Sequence, residues 1–89
     1  MRARHGKPDR NHGEVTQALE RRGWLVARTT GVGGGFFDLI ACKGGRVVFM
    51  EVKNPKRYAK PEPHQVKVHD AWRNAGADVR VVERVEDLP

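Results

Sequence analysis

The 89-residue sequence holds one cysteine, Cys42, and one tyrosine, and no apolar run approaches the roughly 20 residues that a membrane helix needs. A single thiol excludes an internal disulfide and a cysteine-based zinc site, so stability must come from packing. The basic start Met1-Arg2-Ala3-Arg4-His5-Gly6-Lys7 is followed by no apolar stretch and is not a secretory signal. The simplest reading is a cytoplasmic protein with no membrane contact and no small-molecule cofactor. Acidic residues are also few, 11 against 17 basic ones, which leaves a net charge of +6. With an isoelectric point of ≈ 10.1, this is the footprint of a protein that meets phosphates, although a merely soluble basic surface has the same composition. The length suits one domain with one core.

Residues 1 to 10 are basic and lack an apolar period, as in a flexible arm, and residues 11 to 89 form the single folded domain. Asn11 and Glu14 have the spacing of a capping box, and Val15, Ala18 and Leu19 recur at helical spacing until Gly23. A helix is predicted from about His12 to Arg22. Strand formers then run from Trp24 to Thr29 and stop at Gly31, Gly33, Gly34 and Gly35, which read as loop. Residues 36 to 42 and 46 to 53 flank Lys43-Gly44-Gly45, a strong hairpin signal. The proline-rich, basic stretch from Asn54 to Pro63 is an exposed loop. Val68, Ala71, Trp72 and Ala75 make the apolar stripe of a second helix, which starts near Pro63 and ends at Gly76. A short strand over residues 79 to 82 and a final turn complete the order αβββαβ.

A turn centred on Gly44-Gly45 places opposite each other those residues whose numbers add to 89. Asp38 then faces Glu51 on one side of the hairpin, at a Cβ separation of about 4.5 to 5.5 Å, and Lys53 joins them two residues on. The other side pairs Phe37 with Val52, Leu39 with Met50 and Ala41 with Val48, an apolar strip that reads as core. Two carboxylates this close repel unless a cation lies between them. Oxygen ligands from Asp38 and Glu51, with a main-chain carbonyl such as that of Val52 and water, suit Mg2+ or Mn2+. The Lys53 ammonium can steady negative charge that develops beside such an ion. The competing reading is a surface charge cluster in which Glu51 pairs with Lys53 or Lys60. The shared face, the apolar flanking strands and the basic loop that follows favour the metal site.

At these residues GGGFFDLIACKGGRVVFMEVKN resembles the PD-(D/E)XK nuclease core, and PHQVKVHDAWRNAGADVRVV resembles the closing helix and strand of its VRR-NUC branch. Archaeal Holliday-junction resolvases share this layout. The resemblance implies a restriction-endonuclease-like α/β fold, with a mixed sheet flanked by helices, and a metal-dependent endonuclease that hydrolyses DNA. It matches Asp38 and Glu51 to the metal carboxylates, Lys53 to the catalytic lysine, Gln65 to the glutamine of the following helix and Glu14 to the acidic residue of the first. Phe37 stands where many relatives have proline. Branched DNA as substrate and a homodimer are implied by the resemblance alone. Gln65 lies on the same side of its helix as Val68 and Trp72, where a polar group needs a partner.

Lys56, Arg57 and Lys60 are read as phosphate contacts, with Tyr58 stacking on an unpaired base. Arg28 and the glycine loop are a second place where backbone phosphate can approach, or else a plain connection. His69 is read as a partly covered helix residue, and His5, His12 and His64 as solvent-facing. Two other readings stand beside the DNA endonuclease. One is a nucleic-acid-binding module without turnover, and the other is an RNA-processing or restriction-type enzyme of the same fold.

Overall fold

The computed structural model describes residues 10 to 53 and 63 to 89. Residues 1 to 9 of the expected arm, and the segment with Lys56, Arg57, Tyr58 and Lys60, lie outside the described residues. Helix α1 spans Arg10–Arg21, so it begins before Asn11. Asn11 therefore lies inside the helix rather than at the cap that its spacing with Glu14 suggested. The helix closes as predicted at Gly23, where the Trp24 amide donates to Leu19 O and the Gly23 amide to Glu20 O, the paired bonds of a Schellman motif.

Strands β1 (Leu25–Arg28), β2 (Leu39–Lys43), β3 (Arg46–Val52) and β4 (Asp78–Val82) form one sheet in that spatial order. The pairs β1/β2 and β2/β3 are antiparallel, and β3/β4 is parallel. Helix α2 (Pro63–Asn74) connects the two parallel strands, as a parallel pair requires. It ends on the same pair of bonds as α1, from Ala77 to Trp72 O and from Gly76 to Arg73 O. Positive φ at both Gly44 and Gly45 gives the hairpin its tight turn. The β2/β3 register follows, with Leu39 opposite Met50 through Lys43 opposite Arg46, every pair adding to 89 as predicted. The glycine segment after β1 holds a short 3-10 turn at Thr30–Val32, and a second such turn at Val85–Asp87 stands where a closing turn was expected.

One sheet face carries the core. Val15 and Leu19 of α1 pack with Trp24, Leu39, Ala41, Val48, Met50, Val52 and Val82. Each Val, Leu or Met side chain among them contributes roughly 1.5–3 kcal/mol by leaving water. The opposite face, beneath α2, is aromatic, with the Trp72 ring 5.0 Å from Phe49 and 5.6 Å from Phe36.

Two expectations fail here. Phe37 is buried, but in this aromatic cluster rather than in the strip with Leu39 and Ala41, since its ring lies 5.2 Å from Phe49 and 6.0 Å from Trp72. The predicted stripe of α2 is largely uncovered, with Ala71 and Ala75 exposed and Trp72 38% exposed, while the residue that α2 buries is His69. A helix over the end of the sheet rests on the few residues that reach the aromatic cluster, so its apolar period overstates its burial. No helix among the described residues is long and apolar enough to cross a membrane.

Candidate active site

The open end of the β2/β3 hairpin is where the chain departs from regular pairing. Leu39 is the register partner of Met50, yet the Asp38 amide also donates to Met50 O, at 2.9 Å. Two residues set against one is the arrangement of a β-bulge, which turns the preceding residue to the other face. Phe37 is thereby sent toward α2, and Asp38 is not the simple cross-strand partner of Glu51 that register alone predicts. Its carboxylate instead takes over the ladder, accepting from the Val52 amide at 2.8 Å. Thr29 braces the bulge from the other side. Its amide donates to Asp38 O at 2.8 Å and its hydroxyl to Phe37 O at 2.6 Å.

Glu51, near the end of β3, is only 6% exposed. Its Oε2 accepts from Gln65 Nε2 at 2.9 Å and lies 3.4 Å from Lys53 Nζ. Its Oε1 is buried and has no hydrogen-bond partner among the described residues. Burial first, and the charge of Asp38 second, push the Glu51 carboxyl above its ordinary range, while Lys53 and the Gln65 bond act in the opposite direction. Two carboxylates, one lysine and one glutamine thus gather around a site that is short of positive charge.

Two histidines complete the surroundings. His69 Nε2 stands 3.8 Å from Glu51 Oε1, with its ring stacked on Phe37 at 4.6 Å and 14°. Burial, then the charges of Arg73 and Lys53, lower its pKa. His12, expected to face solvent, is 3.6 Å from Asp38 Oδ2 and largely covered. Residues 12 and 14 are about 200° apart around a helix, so a His12 turned to Asp38 leaves Glu14 pointing away. Glu14 is indeed exposed. Of the predicted residues, Asp38, Glu51, Lys53 and Gln65 converge, and Glu14 does not join them. Val52 offers main chain only, since its side chain belongs to the core. Arg28 is exposed at the end of β1.

The last glycine of the loop packs closely on α2. Gly35 has φ +78, and a Cβ built on it would lie 2.9 Å from His64 Cδ2 and 3.1 Å from Gln65 Cα. The loop therefore closes directly on the first turn of α2, which carries Gln65.

The family model of the archaeal Holliday junction resolvase (Hjc) matches residues 1–87. The chain belongs to this family. A solved structure described as a "VRR_NUC domain" is similar to this chain, with 31% identity and a TM-score of 0.65, covering 85% of this chain and 87% of that one. No curated protein matches. The mixed sheet with its two helices is thus the restriction-endonuclease-like fold of a VRR-NUC protein, and family and fold indicate a nuclease. Sequence reasoning missed Thr29, His12 and His69. Thr29 carries no signal of its own, because a bulge is invisible in strand periodicity. His69, one turn beyond Gln65 on the same helix face, was read as partly covered and is buried, 6% exposed.

Proposed function

We propose that the protein is a Mg2+- or Mn2+-dependent endonuclease that hydrolyses DNA phosphodiester bonds, acting on branched DNA such as a four-way junction, as a homodimer in the cytoplasm. The observation that carries this reading is the convergence on Glu51, a buried carboxylate with one oxygen unpartnered, held by Gln65 and Lys53 and facing the field of Asp38. Its raised proton affinity is the mark of a site that favours an added positive charge.

The donor set fits a hard cation. Among the described residues no three His, Cys, Asp or Glu side chains gather to hold an ion by themselves. Two carboxylates, Asp38 and Glu51, with the Val52 carbonyl, water and a phosphate oxygen of the substrate, match how Mg2+ is held, whereas structural zinc takes nitrogen and sulfur. An ion bound there would supply Lewis-acid polarisation of the scissile phosphate and a lower pKa for attacking water.

The chain's own residues do the rest. Lys53 is placed to balance charge that builds on the phosphate in the transition state. Gln65 holds the Glu51 carboxylate in one orientation, and the Val52 amide does the same for Asp38. Lys56, Arg57, Lys60 and Arg28 contact the DNA backbone, and Tyr58 stacks on an unpaired base near the branch. A two-fold dimer gives a small domain the paired sites that symmetric cutting of a junction needs.

The test is cleavage of linear duplex, four-way junction, flap and RNA, each with Mg2+, Mn2+ or EDTA. Junction cutting that EDTA abolishes is the expected result. Equal cutting in EDTA refutes the metal, preference for RNA refutes the substrate, and binding without cutting leaves a recognition module.

A further inference from the structure

Helix α2 offers Glu51 two nitrogen groups, one turn apart. Gln65 and His69 are at i and i+4, so both point to the same side of the helix. Gln65 Nε2 reaches Oε2 at 2.9 Å, and His69 Nε2 lies 3.8 Å from the other oxygen, Oε1. Both Oε1 and His69 Nε2 are buried and have no hydrogen-bond partner among the described residues. Buried polar atoms of opposite character that face each other are seldom left apart, since each unpaired one costs about 1–3 kcal/mol. A separation of 3.8 Å exceeds a hydrogen bond, but a shift of under about 1 Å closes it. Stacking on Phe37 fixes the plane of the imidazole, so the freedom left to the ring is small.

We propose that His69 is a positioning residue for Glu51, its Nε2–H addressing Oε1 while Gln65 addresses Oε2. A carboxylate gripped through one oxygen can still swing about its Cγ–Cδ bond. One gripped through both presents its remaining lone pairs in a single direction. Neighbours of this kind commonly change metal affinity or activity about 10–100-fold when removed. The inference rests on the reading of Glu51 as a metal ligand.

Two measurements test it. In 15N-labelled wild-type protein, long-range 1H–15N correlation should show the His69 ring protonated at Nε2, and protonation at Nδ1 alone overturns the proposal. His69→Phe keeps a ring against Phe37 and removes the donor, whereas His69→Gln supplies an amide donor and removes the ring. His69→Phe should raise the Mn2+ dissociation constant measured by calorimetry, and the metal concentration for half-maximal junction cutting, by about 10–100-fold. The KM for DNA should stay within twofold, and His69→Gln should recover part of the loss. Unchanged metal affinity in His69→Phe, or a larger loss in His69→Gln than in His69→Phe, assigns the residue to packing and overturns the proposal. Should His69→Phe fail to fold by circular dichroism, the wild-type tautomer and the metal affinity of His69→Gln decide. A wild-type protein that cuts no nucleic acid removes the nuclease reading itself, whereas a cutting wild type with an indifferent His69→Phe removes only the positioning role.

Discussion

Replacing Gly35 with alanine should damage both the fold and the site, and the neighbouring Gly34 provides the control. Both glycines have positive φ, +78 at Gly35 and +65 at Gly34, a conformation that costs an alanine about 1–2 kcal/mol. They differ in surroundings. A Cβ at Gly34 meets nothing within 4 Å, whereas one at Gly35 lies 2.9 Å from His64 Cδ2 and 3.1 Å from Gln65 Cα. The histidine ring can swing away, but the backbone Cα cannot move without the first turn of α2. Overlap of this kind adds about 1–3 kcal/mol, so Gly34→Ala should lose about 1–2 kcal/mol and Gly35→Ala about 2–5. In a domain of this size each kcal/mol lowers Tm by about 4–8 °C. The recoil also draws Gln65 from Glu51, and breaking their 2.9 Å bond removes a charge-assisted contact. Such a bond is worth about 1.5–3 kcal/mol, and even partial loss in the transition state slows cleavage about tenfold. Thermal melts and junction cleavage by the two variants form the assay. If Gly35→Ala melts with Gly34→Ala and cuts at the wild-type rate, the closure of the loop on α2 is not what places Gln65.

Other substitutions probe the carboxylates and the lysine. Because burial and Asp38 hold the folded Glu51 carboxyl above its ordinary 4.5, folding favours the protonated acid. This contribution is complete below the unfolded pKa and is lost as pH rises through the folded one. Glu51→Gln, uncharged at every pH, should therefore melt higher than wild type at pH 7 to 8 without divalent ion, lose that advantage near pH 4, and gain nothing from added Mn2+. Parallel melting curves across pH in the two proteins would reject the electrostatic account. Asp38→Asn keeps an acceptor for the Val52 amide and should abolish cutting with little loss of stability, whereas Asp38→Ala strands that amide and should cost a further 1–3 kcal/mol or so in urea denaturation. Lys53→Ala should lower kcat by about 10²–10³ while junction binding in gel shifts is retained, and a smaller fall would place the lysine outside the transition state.

What could be read before folding was what depends on neighbours in the chain. The Gly44-Gly45 turn sets its own register, so every pair from Leu39/Met50 to Lys43/Arg46 was predictable by counting. Gly23 and Gly76 end their helices through bonds that span only a few residues. The aromatic side of the sheet was harder. Phe37 alternates with Leu39 in the sequence, and only the bulge at Asp38 moves it to the face beneath α2. Helix periodicity marked Ala71 and Ala75 for burial, but burial depends on where the helix rests on the sheet.

The candidates Asp38, Glu51 and Lys53 were brought together by the hairpin count, and the resemblance added Gln65. The tertiary structure decided how they are held. It put Asp38 on a bulge braced by Thr29, turned His12 rather than Glu14 toward it, and brought His69 against the unpartnered oxygen of Glu51. The physical reason is separation along the chain. A hairpin turn or a helix cap is fixed by bonds between residues a few positions apart, whereas α1, the end of β3 and α2 meet only when both faces of the sheet are covered.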